Sequence, residues 1–232
     1  MGGVVIAAAT IILYTPWVPL LDLREIAVRG ASYIPQEEIL RAAGFKVGEN
    51  LFRLRVLRAG RAIARLPWVE HVSIRRAFLH GVTITVEERA PIATVVDPLG
   101  GGKLLVLGEG GVLVQDATQD LRPPLVVRGA PFAAYEPGAR LQDDDMASAL
   151  EHLHRLGLTQ GLFQLVDFTN PSSVTLQGAD DLTIYLGELD NIALRIGALG
   201  ALLQTIDPSK YRSMDLRYGG EAVLVPRKVV NR

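Results

Sequence analysis

The 232-residue chain sets 24 Lys+Arg against 25 Asp+Glu, is 49% hydrophobic and holds no cysteine. That apolar content supports a packed core and excludes wholesale disorder. The missing thiols exclude a disulfide framework, a thiolate zinc site and a cysteine nucleophile, and a formal charge of −1 argues against a dedicated nucleic-acid binder.

The charge is unevenly spread. Residues 22–90 carry 12 basic and 8 acidic side chains, whereas residues 91–232 carry 12 and 17, which predicts two modules with separate surfaces. No charged residue precedes Asp22, and Gly2–Leu13 is almost wholly apolar. A bilayer-spanning helix takes ~20 such residues. Pro16 and Pro19 end any helix near Tyr14, and Tyr14 and Trp17 suit an interfacial aromatic belt. We read residues 1–21 as a single transmembrane anchor. A cleaved signal peptide fits less well, since a basic n-region and a small-residue cleavage site are both missing. Against a buried helix of a soluble domain stands the uncharged run reaching Leu21.

Leu23–Arg29 alternates as a strand and is closed by Gly30. Pro35 suits the first turn of a helix whose positive end Glu37 and Glu38 complement; Ile39, Leu40 and Ala43 form its apolar face and Gly44 ends it. A second helix is predicted over Phe52–Leu66, because Phe52, Val56, Ala59, Ile63 and Leu66 share one face. Arg58, Arg61 and Arg65 form a stripe on another face, either solvated or a basic docking surface for a protein or a membrane. Pro67 stops the helix. Trp68–Arg76 and Val82–Arg89 alternate as strands around a turn at His80-Gly81. The order strand–helix–helix–strand–strand predicts two helices on one face of a small sheet.

These residues carry a resemblance. The runs REIAVRGASYIPQEEIL, LPWVEHVSIRR and VTITVEERAPIA resemble a POTRA domain of the FtsQ/DivIB type, on Val28, Gly30, Pro67, Trp68, Val69, Val72, Arg75, Val86, Glu87, Arg89, Pro91 and Ala93. A single such domain directly after a single anchor is the arrangement the resemblance implies.

The second module, residues 91–226, opens with strands at Ile92–Val96, Lys103–Leu107 and Val112–Val114, the last two flanking a hairpin signal at Gly108–Gly111. Leu125–Val127 is a further strand. A helix over Asp144–Leu156, capped by Asp143 or Asp144, has Met146, Ala149 or Leu150, Leu153 and Leu156 on its apolar side. Strands follow at Phe163–Phe168, Ser173–Gln177 and Leu182–Leu186. A last helix over Asn191–Ile206 shares Ile192, Ile196, Leu199, Leu203 and Ile206 on one face. Ser213–Tyr218 and Glu221–Val225 are the closing strands, joined by Gly219-Gly220, with Pro226 ending the last and residues 227–232 a tail. The predicted fold class is α+β: an N-terminal transmembrane helix, a small β-α-α-β-β domain over 22–90, then a mixed, mostly antiparallel β domain with two helices.

This half also resembles the FtsQ family, through its order of strands and helices and SMDLRY before a terminal strand. The resemblance implies a bitopic divisome protein at the septum. Most of the chain would lie outside the cytoplasmic membrane, and its terminal sheet edge would accept a strand from FtsB, the companion of FtsL. A last strand at a sheet edge offers unpaired N–H and C=O groups to an extended peptide. The expected contact residues are Arg217, Tyr218, Gly220, Glu221, Ala222, Val223, Leu224 and Val225, with Ala222 and Leu224 on one face and Val223 and Val225 on the other. Arg217 and Tyr218 match the family's Arg-Tyr positions, where a cation meets an acidic partner residue. A tryptophan that the family carries near the strand end is absent, with Pro226 in that region. A charge at Leu224 or a proline at Val223 is expected to block the partner strand while the domain stays folded.

No signature of catalysis is found. The histidines are His71, His80, His152 and His154; the last two are two apart on a helix and diverge by ~200°, so they do not share a metal. Glu87 and Glu88, adjacent in a strand, point to opposite faces, and the Asp143–Asp145 run complements a helix start. No phosphate loop or nucleophile elbow occurs. The reading is a non-enzymatic scaffold that needs no cofactor or small-molecule substrate, holds an FtsB–FtsL-like pair and links early and late division proteins. The alternative is an outer-membrane assembly or secretion factor with POTRA domains, which would carry several repeats ahead of a barrel.

Overall fold

The computed structural model describes residues 22–77, 81–98, 100–218 and 221–227. Their contacts divide the chain into two compact units, one ending at Arg89 and the other starting at Ala90. The predicted anchor and His80 lie outside the described residues, as does Gly220. Among the described residues, no helix is long and apolar enough to cross a membrane.

In the first unit, β1 (Glu25–Arg29), α1 (Gln36–Ala43), α2 (Val56–Ile63), β2 (Val69–Ala77) and β3 (Gly81–Glu88) build a three-stranded sheet in the order β1-β3-β2. β1 runs parallel to β3, with Val28 opposite Ile84, and β2 runs antiparallel to it, with Val72 opposite Val86. Alternation along β3 buries Val82, Ile84 and Val86. Ile39 and Ala43 of α1 and Ala59 and Ile63 of α2 are buried as well, at spacings of four that bring each pair onto one helix face.

The second helix is shorter than predicted. The chain turns first at Asn50, whose side-chain oxygen accepts the Phe52 N–H and whose carbonyl accepts the Arg53 N–H, and then again where the Val56 N–H donates to the Leu54 carbonyl across a non-helical Arg55, so regular helix begins only at Val56. Val56, Ala59 and Ile63 keep the apolar face assigned to them. Leu66 and Pro67 follow the helix in turns, and the Leu66 carbonyl accepts the Val69 N–H that opens β2.

Gly30 has φ +81°, and a Cβ there would sit 2.1 Å from the Val86 carbonyl oxygen, so only glycine fits between β1 and β3. The Glu88 carboxylate then gathers the N–H groups of Ser32, Tyr33 and Ile34 at 2.8–3.1 Å, fixing the approach to α1. Tyr33 stacks on buried Trp68, with ring centroids 4.4 Å apart.

The second unit holds β4 (Pro91–Val96), β5 (Leu104–Gly108), β6 (Val112–Asp116), β7 (Val126–Arg128), α3 (Asp144–Arg155), β8 (Phe163–Asp167), β9 (Val174–Gly178), β10 (Thr183–Gly187), α4 (Ile192–Leu203), β11 (Tyr211–Asp215) and β12 (Val223–Pro226). The nine strands form one sheet in the order β12-β11-β10-β9-β8-β7-β4-β5-β6. Neighbours pair antiparallel except β4–β7, β7–β8 and β10–β11. The last two of these parallel pairs are crossovers, through α3 and α4 respectively. Both helices pack against each other and on the core, where Leu150 and Ile196 join Leu105, Leu107, Phe163 and Phe168 in one buried cluster. Each large apolar side chain fully buried there contributes about 1.5–3 kcal/mol. Asp143 caps α3 by accepting the Met146 N–H at 3.0 Å.

Two strand ends differ from expectation. β11 spans Tyr211–Asp215, so Arg217 and Tyr218 lie beyond it. The Asp215 side chain accepts the Arg217 N–H, and this local turn replaces the ladder. β12 begins at Val223, leaving Glu221 and Ala222 outside the ladder, and includes Pro226 as its final residue opposite Tyr211.

Candidate functional site

Among the described residues β12 is the terminal strand of the sheet order and pairs only with β11. Met214 stands opposite Leu224 and Asp215 opposite Val223. Beyond that ladder, the Arg227 N–H donates to the Lys210 carbonyl at 2.9 Å and the Arg227 guanidinium to the Asp180 carbonyl, so the strand is held at its far end as well. The Arg227–Lys210 bond also sets the alternation along β12. Residues 223 and 225 share its side and face β11, while the N–H and C=O of Leu224 turn to the outer edge. Pro226, with no N–H, also falls at an outward position, where it breaks no bond to β11.

The side chains divide the opposite way between the sheet faces. Leu224 is half-buried against the core, while Val223 and Val225 are 51% and 45% exposed. This overturns both substitutions expected to isolate the partner contact. A charge at Leu224 would enter the domain's own packing, and a proline at Val223 would remove a donor aimed at β11.

Arg217 is not a bare cation. Its Nε donates to the Asp215 carboxylate at 2.9 and 3.1 Å and its Nη2 at 2.5 Å, while the guanidinium lies 5.2 Å from the Tyr185 ring centroid and 5.6 Å from that of Tyr218. The hydrogen bonds from Arg217 hold the Asp215 carboxyl below its ordinary value, against the opposing effect of partial burial, and the same contact raises the Arg217 pKa further. Gly187, at φ +80°, makes room for this arginine: a Cβ there would lie 2.9 Å from Arg217 Cγ. Tyr218 is 62% exposed, and Glu221 and Ala222 are exposed. The structure therefore gathers Tyr218, Val223 and Val225 as open groups around one sheet edge and commits Arg217 to Asp215.

The second candidate surface is the arginine stripe. Arg58, Arg61 and Arg65 are all exposed, the first two on α2 and the third in the turn after it. Arg76 lines the same groove but donates to the Leu51 and Leu54 carbonyls. Glu88, which organises the start of α1, was not singled out from the sequence; the signal available was its place at a strand end following Glu87 on the opposite face.

The three described histidines take ordinary roles. His152 Nδ1 meets the Ser148 carbonyl at 2.9 Å and His154 Nδ1 the Thr159 hydroxyl at 3.1 Å, and exposed His71 lies 3.8 Å from Glu87. Among the described residues no three His, Asp or Glu side chains gather as a metal site.

Comparison with known proteins agrees with this architecture. Residues 21–89 match the model of the POTRA domain, FtsQ-type. Cell division protein FtsQ of Corynebacterium glutamicum is 26% identical over 215 residues, covering 87% of this chain and 88% of that protein. Cell division protein DivIB of Bacillus cereus is 25% identical over 208 residues, covering 87% and 75%. The chain belongs to the FtsQ/DivIB family. FtsQ of Geobacter sp. is 33% identical over a shorter stretch, 43% of this chain and 35% of that protein. The first unit is thus a POTRA domain of the FtsQ type, and the chain has a role in cell division as part of the divisome.

Proposed function

We propose that this FtsQ/DivIB-family protein is a non-enzymatic, single-pass scaffold of the cytoplasmic membrane. Residues 1–21 anchor it, the POTRA domain and β domain lie outside the membrane at the septum, and an FtsB–FtsL-like partner adds a strand to the outer side of β12. The observation that carries the partner site is the bare edge itself. Among the described residues β12 has one ladder neighbour, turns the Leu224 backbone outward and exposes Val223 and Val225 beside it. An incoming strand would satisfy those groups and bury the two valines. The sheet has two ends and two crossover helices, an open order that supports this reading over a factor feeding a barrel.

The test is capture of an FtsB–FtsL pair by the full chain in detergent. Leu224→Ala trims packing but keeps the outward N–H, whereas Leu224→Pro removes it. Capture is expected to survive the alanine and to fall at least about fivefold with the proline, since a lost backbone bond in a buried interface costs about 1–3 kcal/mol. Equal capture by both variants overturns the edge as the contact.

A further inference from the structure

We infer that the exposed face of α2 is a docking surface for anionic lipid headgroups, holding the POTRA domain against the membrane next to its own anchor. The inference rests on the anchored reading proposed above. Arg58 and Arg61 fall ~60° apart on the side of the helix opposite Val56, Ala59 and Ile63, exposed Arg65 follows in the turn after it, and Leu57, 81% exposed, stands beside them. Among the described residues no guanidinium of these three arginines has a hydrogen bond or an ion pair, and no carboxylate lines the groove they share with Arg55 and Leu54. An apolar side chain flanked by unpaired guanidinium groups suits a phosphate-bearing interface, which takes the cations at headgroup depth and the leucine just below it.

The position of the chain's entry decides the occupant. Asp22, the first charged residue after the apolar segment, bridges to Asn50, and the next residue donates from the Leu23 N–H to the Glu49 carbonyl at 2.8 Å. Asp22 also lines a groove together with Arg53, Arg55 and Arg58, with Glu49 as its other carboxylate. The point where a membrane segment would emerge is therefore pinned to the loop that leads into α2. An arginine face so placed meets headgroups with no search, and the anchor raises their effective concentration. One apolar anchor plus a basic patch is the two-signal arrangement that holds a surface to anionic lipid.

The absence of cysteine allows a clean test. Leu57→Cys, carrying an environment-sensitive fluorophore, is placed in the full chain in nanodiscs of neutral phosphatidylcholine or of phosphatidylcholine with phosphatidylglycerol. A label at Ser73→Cys, exposed on β2 of the same domain, serves as reference. The emission at position 57 is expected to shift to the blue in the anionic discs only. High salt, which shortens the Debye length from ~10 Å at 0.1 M to ~3 Å at 1 M, is expected to reverse it, as is the triple change Arg58→Glu, Arg61→Glu and Arg65→Glu. The label at position 73 stays unchanged, and circular dichroism of the triple variant checks that the domain remains folded. No difference between the two disc types at position 57 overturns the inference and marks the stripe as solvated or as a protein contact. Failure of the unlabelled chain to co-elute with neutral discs instead overturns the anchored reading itself.

Discussion

At one edge of the nine-stranded sheet, β6 is met by residues 138–141. The Gly138 N–H donates to the Leu113 carbonyl at 2.7 Å, the Leu113 N–H to the Ala139 carbonyl at 2.9 Å and the Leu141 N–H to the Gly111 carbonyl at 2.8 Å, while Arg140 bridges to Val112. At the other edge, no described segment comes to the outer side of β12. β6 is also buried through Val112, Leu113 and Val114, whereas β12 shows two half-open valines and one half-buried leucine. An edge capped by the chain's own loop spends its hydrogen-bonding groups on stability, and an uncapped one keeps them for another molecule. The same domain thus treats its two edges differently, and the difference is what points to β12 as a place of work.

Proline substitution probes that contrast most strongly. Leu113→Pro removes a fully buried side chain and an N–H that is already bonded, and is expected to cost more than about 3 kcal/mol in denaturant unfolding. Leu224→Pro, compared with Leu224→Ala, is expected to add less than about 1 kcal/mol, because its N–H faces outward. Equal losses at the two edges would mean that the chain itself pairs the outer side of β12, and the comparison would fail.

Removing the cover should make the capped edge behave like the open one. Leu141 is buried, and Leu141→Ala is expected to cost about 2–3 kcal/mol. The accompanying signature is faster hydrogen exchange at the Leu113 amide, which loses its held acceptor at Ala139, with no change at the Val223 amide on the far edge. Unchanged exchange at Leu113 would show that the loop stays in place without the Leu141 side chain.

Much of this was legible in the sequence, and the failures have physical causes. Period-two runs located β2, β3 and β4 to within a residue or two, and the Asp143 cap and Gly44 stop bounded their helices, because those signals are local. The start of α2 was missed where Asn50 turned the chain by side-chain bonding. The stop of β11 at Asp215 was missed because that residue diverts the backbone at Arg217. The cover over β6 carried no periodic signal at all: residues 138–141 form no strand, and only their long-range bonds to 111–113 give them meaning. Which side of β12 was open was likewise unreadable. Alternation assigns Val223 and Val225 to one face but does not say which face meets the core. The strand at the end of the chain, its edge character and the Val223–Val225 stretch were nonetheless anticipated.

Side-chain charge on the open face tests the edge without touching the ladder. Val223→Lys together with Val225→Lys leaves Leu224 in place and is expected to change stability by no more than about 0.5 kcal/mol, because both positions are exposed. The double variant should also lower any concentration-dependent self-association seen by sedimentation, as lysines on an edge strand repel a second edge. The same two charges placed at Val112 and Val114 of β6, both buried, are expected to unfold the domain.

The smallest effect separates the two edges by pH. Asp215, opposite Val223 in the ladder, is held below its ordinary pKa of 3.8 by hydrogen bonds from Arg217, so the folded state favours its ionised form. Its contribution is therefore fully present above that unfolded value and is lost as pH falls through the lower folded one. Asp167 and Asp207 are shifted in the same direction, so the raw acid sensitivity of the protein mixes all three. Subtracting the stability curve of Asp215→Asn from that of the unaltered chain isolates one carboxyl. The difference is expected to be small and constant from pH 5 upward, since the Arg217 pair is part-exposed and screened, and to vanish in stronger acid. Protection of the Val223 and Val225 amides should fall over that acid range while Leu113 keeps its own, because no carboxylate bonds the 138–141 cover to β6. A difference curve that persists undiminished into strong acid would mean that Asp215 acts through packing, and the open edge would then owe nothing to its ion pair.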